Sequence, residues 1–218
     1  LHDPTSEREK CLEMKQSPPD LTVEFCGIRF PNPILLGSGG LGENAPTLIR
    51  FLDAGVGGVV TRTTREIVDD ERKVFPSPHL FIESKRNYML NAEWGNLAPW
   101  EYWVKEGLPS LKDKGIVIAS ISGRDIDDCV DLACKLDQLR IPLFEINISC
   151  SHSGLLYGRI TDDANHVRAL VSRLKKTVRT PIMLKLGWSP VLPEIARIGA
   201  DAGVDAIATT NSIGPGLD

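Results

Sequence analysis

Asn147, Cys150, Lys185 and Asn211 are the residues of this chain whose types and placement best suit chemistry. Each closes or follows a short apolar run: Phe144-Glu145-Ile146-Asn147-Ile148-Ser149-Cys150, Ile182-Met183-Leu184-Lys185-Leu186, and a third run leading into Thr209-Thr210-Asn211-Ser212. An asparagine amide donates and accepts, and a cysteine becomes a base when its pKa is drawn toward the working pH. Side chains alternate across a strand, so Phe144, Ile146 and Ile148 share one face while Glu145, Asn147 and Ser149 share the other. A helix-covered sheet needs its outward face apolar, which turns Glu145 and Asn147 inward and sets Lys185 opposite to Leu184 and Leu186. Buried amides and charges are costly unless partnered. A structural network, with Lys185 paired to Glu145 across neighbouring strands, is the plain alternative for any one of these residues. Together at strand ends they read as a site.

A second motif is Gly37-x-Gly39-x-x-Gly42, which follows an apolar run and precedes a helical pattern. That context fits a dinucleotide-binding turn, so a nicotinamide-binding fold is one reading. The expected acidic ribose ligand at the end of the second strand is replaced by Thr61-Arg62-Thr63-Thr64, where Arg62 could meet a 2′-phosphate. The other reading is a close turn under a flat cofactor.

The elements that must position these residues alternate. Residues 1–20 form a polar extension closing on Ser17-Pro18-Pro19-Asp20, and LTVEFCGIRF predicts a β-hairpin around Cys26-Gly27. Strands are then expected at Ile34–Leu36, Gly58–Thr61, Ile116–Ile121, Leu143–Ile148, Ile182–Leu186 and Ala206–Thr209. The helices between them include one with Pro46 in its first turn, one near Glu101–Leu111, and one carrying Ile126, Val130, Ala133 and Leu136. Another is capped by Thr161, and a last spans Val191–Ala202 and stops at Gly203. The stretch from Arg62 to about Pro99 is too long for a plain connection and is expected to be functional. Repeating β-α units imply a parallel sheet covered by helices. Six such strands complete a doubly wound sheet but leave an eight-stranded barrel two units short, so a barrel would continue beyond Asp218.

Composition limits the partners. Of 218 residues, 25 are Lys or Arg and 29 are Asp or Glu, a net charge of −4 without a basic stripe, which argues against nucleic acid. The apolar run Ala54–Val60 is too short to span a membrane, and the charged start LHDPTSEREK lacks the apolar stretch of a secretory signal. The five cysteines (Cys11, Cys26, Cys129, Cys134, Cys150) form no C-x-x-C, so no metal or cluster site is expected and a cytoplasmic location is. An initial Leu in place of Met points to a trimmed or processed chain.

The segment EINISCSH, residues 145–152, resembles the N-L-S-C-P-N/H loop of the dihydroorotate dehydrogenases and of the pyrimidine-reducing domain of the dihydropyrimidine dehydrogenases. LTVEFCGIRFPNPILLGSGG, AGVGGVVTRTT, MLNAEWGN, PIMLKL and ATTNSIG resemble further stretches of the family in order, over residues 21–218. The resemblance implies an FMN-dependent (β/α)₈ TIM barrel, six of its eight βα units present, acting on the C5–C6 bond of a pyrimidine. Dihydroorotate oxidation to orotate is the first expectation, and reduction of uracil or thymine the second. Carried over, Cys150 is the base that removes the C5 proton while hydride passes from C6 to the flavin. Asn91, Asn147, His152, Asn211 and Ser212 would hold the pyrimidine. Ser38, Gly39, Thr61, Arg62 and Lys185 would hold FMN, Lys185 near the flavin's pyrimidine end. A homodimer is implied, and in one branch of the family a separate flavin and iron–sulfur subunit for electron transfer.

Four features depart from the family pattern. Arg62 stands where a lysine is usual, and its longer forked side chain changes the local geometry. Ser151 replaces a proline, which loosens that loop. His152 matches the dihydropyrimidine branch. The family's grip on the FMN phosphate comes from strands seven and eight, beyond Asp218. These departures keep a non-catalytic binding relic in view beside the enzyme and the NADP-binding reading of the Gly37–Gly42 loop.

Overall fold

A computed structural model of the chain describes residues 19–66, 80–83, 88–91, 99–149 and 162–211. Cys150, His152 and Ser212, together with residues 1–18 and Thr161, lie outside these. The hairpin expected around Cys26-Gly27 is present: β1 (Val23–Phe25) pairs with β2 (Ile28–Phe30), Phe25 opposite Ile28. Both turn residues have positive φ, 51° at Cys26 and 72° at Gly27, the geometry that matches the twist of a two-residue hairpin.

Six parallel strands follow: β3 (Leu35–Leu36), β4 (Gly58–Val60), β7 (Val117–Ile121), β8 (Leu143–Asn147), β9 (Ile182–Lys185) and β10 (Ala206–Ala208). Their order across the sheet is their order along the chain. This decides between the two architectures the βα pattern allowed. A doubly wound sheet reverses its strand order at a switch point where the dinucleotide sits, whereas a barrel adds each strand beside the last. The sheet has no reversal, so it is six-eighths of a (β/α)₈ barrel. Within the long 62–99 stretch, β5 (Leu80–Glu83) and β6 (Tyr88–Asn91) form a separate antiparallel hairpin, with Asn91 opposite Leu80. Its weak alternation gave no sequence signal of it.

The helices lie where the apolar spacing put them. The first, α1 (Ala45–Asp53), is capped by Asn44, whose side chain accepts from Thr47 N, and has proline in its first turn. Next come α2 (Trp100–Tyr102) and α3 (Leu108–Leu111), joined by a π turn over Trp103–Gly107. In α4 (Ile126–Asp137) Asp125 is the cap, and in α5 (Ala164–Thr177) the cap is Asp163, which accepts from Asn165 N and His166 N. The helix begins at that carboxylate, two residues later than a Thr161 cap would place it. Finally α6 (Leu192–Ala202) ends at Gly203 with φ 102°, a left-handed stop that glycine adopts without strain.

Two apolar clusters divide the interior. Between sheet and helices, Phe144, Ile146, Ile182, Leu184, Ala119 and Ile121 pack on Leu132, Leu136, Val167, Val171, Leu174 and their neighbours. Inside the curl, at the amino ends of the strands, Val60, Ile118, Leu143 and Met183 pack on Phe30, with Val23, Phe25 and Ile28 of the hairpin. The hairpin thus plugs one end of the barrel. Along β8 the inward side runs Leu143, Glu145, Asn147, from apolar plug to polar rim, as the period-two reading requires.

Candidate active site

The polar rim is built on a bulge. Thr61 N donates to Ile118 O, and the next ladder bond of that kind runs from Thr64 N, not Thr63 N, to Ser120 O. One extra residue is therefore inserted into the end of β4, a bulge of the sort that re-aims side chains beside sites. Thr61 Oγ1 accepts from Ser120 N at 3.0 Å, standing in for the backbone carbonyl that the bulge displaces. The acceptor side of the Thr61 hydroxyl is thus used within the sheet. Arg62 sits in the bulge, buried, with its backbone N–H on Gly42 O at 2.9 Å and Nη1 3.4 Å from Glu43 Oε1.

That contact explains the glycine loop. A Cβ on Gly42 would meet Arg62 N at 2.9 Å and Val60 O at 3.0 Å, so the third glycine lets the loop close on β4. Cβ atoms on Gly37 or Gly39 would meet no described residue within 4 Å. Between them Ser38 is held in a tight turn by Gly39 N donating to Gly37 O at 2.8 Å. The loop folds against the strand at Gly42, while Gly37 and Gly39 flank a partly exposed Ser38.

From Ser38 a network crosses the curl. Ser38 Oγ and Thr63 Oγ1 are 3.0 Å apart, Thr63 Oγ1 and Ser120 Oγ 2.8 Å, and Ser120 Oγ donates to Glu145 Oε1 at 2.7 Å. Asn147 Nδ2 donates to Thr63 Oγ1 at 2.8 Å. Glu145 is 4% exposed and Lys185 Nζ lies 3.8 Å from its Oε1, so the pairing anticipated between them forms. Burial pushes the Glu145 carboxyl up, against the pull of the Lys185 charge and the Ser120 hydrogen bond.

Two asparagines grip the residue before Cys150. Asn147 Oδ1 accepts Ser149 N at 2.9 Å and Ser149 Oγ at 2.6 Å. Asn211 Nδ2 reaches Ser149 O at 3.5 Å, and Gly187 passes so close that a Cβ would stand 3.1 Å from the same oxygen. Ser149 is therefore held by Asn147 of its own strand and by Asn211 beyond β10, with Gly187 after β9 packed against its carbonyl. The three described thiols, Cys26, Cys129 and Cys134, are all pushed up, first by burial, Cys129 to about 12, so none of these is readied as a base.

The structure thus brings together Ser38, Gly39, Thr61, Arg62, Asn147, Lys185 and Asn211 at the carboxyl ends of the strands, and Asn91 closes β6. Thr63, Ser120 and Ser149 are site members that sequence reading passed over. Hydroxyls are common in strands, and only the bulge and the curl reveal their convergence. A flat, partly polar cofactor fits this rim. Among the described residues, nothing stands within 4 Å of a Cβ on Gly37 or Gly39, Asn147 has one Nδ2 hydrogen without a partner, and Lys185 pairs with Glu145. Thr64 Oγ1 is also buried without a partner among them. Among the described residues no cluster could hold a metal ion and no helix is long and apolar enough to cross a membrane.

A family model described as dihydroorotate dehydrogenase matches residues 20–217. A Pyrococcus horikoshii protein named dihydroorotate dehydrogenase B (NAD(+)), catalytic subunit, is 30% identical over 88% of this chain and 62% of its own length. A protein of the same name from Methanocaldococcus jannaschii is 28% identical over 88% of this chain and 63% of its own. The chain spans a little over three-fifths of the length of these relatives. A crystal structure of an Eimeria tenella DHODH in complex with ferulenol superposes with a TM-score of 0.68 at 17% identity, covering 97% of this chain and 68% of that one, which supports the fold.

Proposed function

Since the chain belongs to the dihydroorotate dehydrogenase family, we propose that it carries the greater part of the active site of an FMN-dependent oxidoreductase acting on the C5–C6 bond of a pyrimidine. Dihydroorotate is the first substrate on this reading. Residues 21–218 serve as an incomplete FMN-binding barrel domain preceded by the extension 1–20. FMN supplies the two-electron acceptor when bound. Ser38, Gly39, Arg62, Lys185 and Asn147 hold it, with Thr61 supporting them from the ladder.

The observation that carries the proposal is the grip on Ser149 by Asn147 and Asn211 directly before Cys150. A proton can be taken from carbon only by a base held within reach and in register with the hydride path. Fixing both the N–H and the carbonyl of Ser149 fixes the point from which Cys150 departs. Cys150 takes the C5 proton, and Asn91, Asn147, His152, Asn211 and Ser212 hold the amide and carbonyl edges of the ring. A cation at Lys185 favours electron-rich states of a neighbouring ring. The protein acts as a cytoplasmic homodimer and passes electrons onward through a separate flavin and iron–sulfur subunit.

The test is a visible absorption spectrum with an intact mass on one sample, followed by anaerobic mixing with dihydroorotate. Flavin absorbance bleached by dihydroorotate is the expected result. Bleaching by dihydrouracil instead would assign the dihydropyrimidine branch, which His152 favours. A colourless protein that takes up no added FMN would overturn the reading in favour of a non-catalytic relic.

A further inference from the structure

The hydrogens along the Ser38–Thr63–Ser120–Glu145 line are fixed by counting. A hydroxyl has one hydrogen to give. Ser120 gives its own to Glu145 Oε1 at 2.7 Å, so at the 2.8 Å contact with Thr63 it accepts and Thr63 donates. With that hydrogen committed, Thr63 Oγ1 accepts twice, from Asn147 Nδ2 at 2.8 Å and from Ser38 Oγ at 3.0 Å. The amide of Asn147 is not reversible, because its other end receives the backbone N–H and the hydroxyl of Ser149. Ser38 is left with lone pairs alone to offer a ligand lying along the Gly37–Gly39 turn, where Cβ atoms on the two flanking glycines would meet no described residue within 4 Å.

We propose that Glu145 is a positioning residue whose carboxylate sets the direction of this chain, so that Ser38 presents an acceptor, and no donor, to the ligand cleft. The proposal extends the FMN reading above and rests on it for the identity of the ligand. A neutral carboxyl or an amide at position 145 would donate to Ser120. Ser120 would then donate to Thr63, Thr63 to Ser38, and Ser38 would turn its hydrogen outward. One buried group three strands away thus chooses the polarity of the cleft edge. Lys185, 3.8 Å from the same oxygen, supplies the opposite charge that works against the upward push of burial on this carboxyl.

Infrared spectra of the full chain at neutral pH, wild type minus Glu145→Gln, test the charge state without any flavin. A carboxylate band lost in the variant is expected. A protonated carboxyl band lost instead would overturn the proposal. Should Glu145→Gln fail to fold, the Ser120→Ala spectrum assigns the band, because the carboxylate loses its donor. FMN titration of the wild type, Glu145→Gln and Ser120→Ala tests transmission. Ser120→Ala keeps both charges, so about tenfold weaker binding in both variants is expected. Wild-type binding in Ser120→Ala beside weakened binding in Glu145→Gln would show a charge effect alone and overturn the directed chain. If the wild type binds no FMN, the functional reading fails, and the infrared result judges the charge state by itself.

Discussion

Asn147 Nδ2 donates to Thr63 Oγ1 across 2.8 Å, although β8 and β4 are not neighbours in the sheet. With β7 between them, a flat sheet would hold the two backbones roughly 9–10 Å apart with side chains parallel. The curl tilts the two inward faces toward each other, and the bulge at the end of β4 swings Thr63 into the gap. Ser120 of the intervening strand fills the space beneath, which is why the same hydroxyl of Thr63 serves three partners.

Replacing Thr63 by valine keeps the volume and removes all three bonds, leaving buried donors on Asn147 and acceptors on Ser120 unmet. The expected loss is about 2–4 kcal/mol, from about 1–3 kcal/mol per unsatisfied buried group. Chemical denaturation of Thr63→Val beside Thr63→Ser checks it, since serine retains the hydroxyl and should recover most of the loss.

Glycine substitutions separate folding from ligand contact in the 37–42 loop. Gly42→Ala drives a Cβ into backbone atoms of Val60 and Arg62 and should cost about 1–3 kcal/mol. Gly39→Ala meets nothing and should melt like the wild type while binding FMN more weakly. Equal melting temperatures for both variants would contradict the close approach of Gly42 to β4. Calorimetry with NADPH is expected to show no binding, since the strand order lacks the crevice a dinucleotide uses.

Cys150→Ala should slow flavin reduction by dihydroorotate about 10²–10⁴-fold at neutral pH, the usual contribution of a positioned base. Stopped-flow absorbance under anaerobic conditions measures it directly. An unchanged rate would remove Cys150 from the reaction.

Acid should loosen the join between β9 and β10. Burial raises the Asp205 carboxyl, yet Lys175 Nζ and Ile182 N, each 2.8 Å from Oδ2, hold it below the usual carboxylate range overall. A depressed carboxyl contributes stability that is present above its unfolded pKa near 4 and lost as pH falls through the folded value. The two side chains are 35% and 33% exposed, so solvent screens the pair and the contribution is modest, under about 1 kcal/mol. Asp205→Asn should be less stable than the wild type at pH 7, with the difference shrinking below about pH 4. Urea midpoints across that range check the sign. A gap that widens in acid would reverse it.

Much of this architecture is written locally. The strand at Leu143–Asn147 and its neighbours are legible because their apolar residues recur with the period of a half-polar strand. Helices α1, α4, α5 and α6 announce themselves by spacing and by caps such as Asn44, Asp125 and Gly203. The inward facing of Glu145, Asn147 and Lys185 follows from alternation alone, as does their need for partners. The motif around Cys150 carries the family.

Tertiary structure decided what depends on strands far apart in sequence. Sequential strand order, and with it the choice of barrel over doubly wound sheet, has no local signature, because both use the same βα units. The bulge at Arg62 appears only when β4 is laid against β7 and the ladder skips a residue. The purpose of Gly42, the acceptor role of Thr61 and the direction of the Ser38-to-Glu145 chain all arise from contacts across 18 or more positions. A sequence lists which groups can donate and accept. Which of them meet, and in which direction their hydrogens point, is fixed only when the sheet curls and each buried group must find a partner.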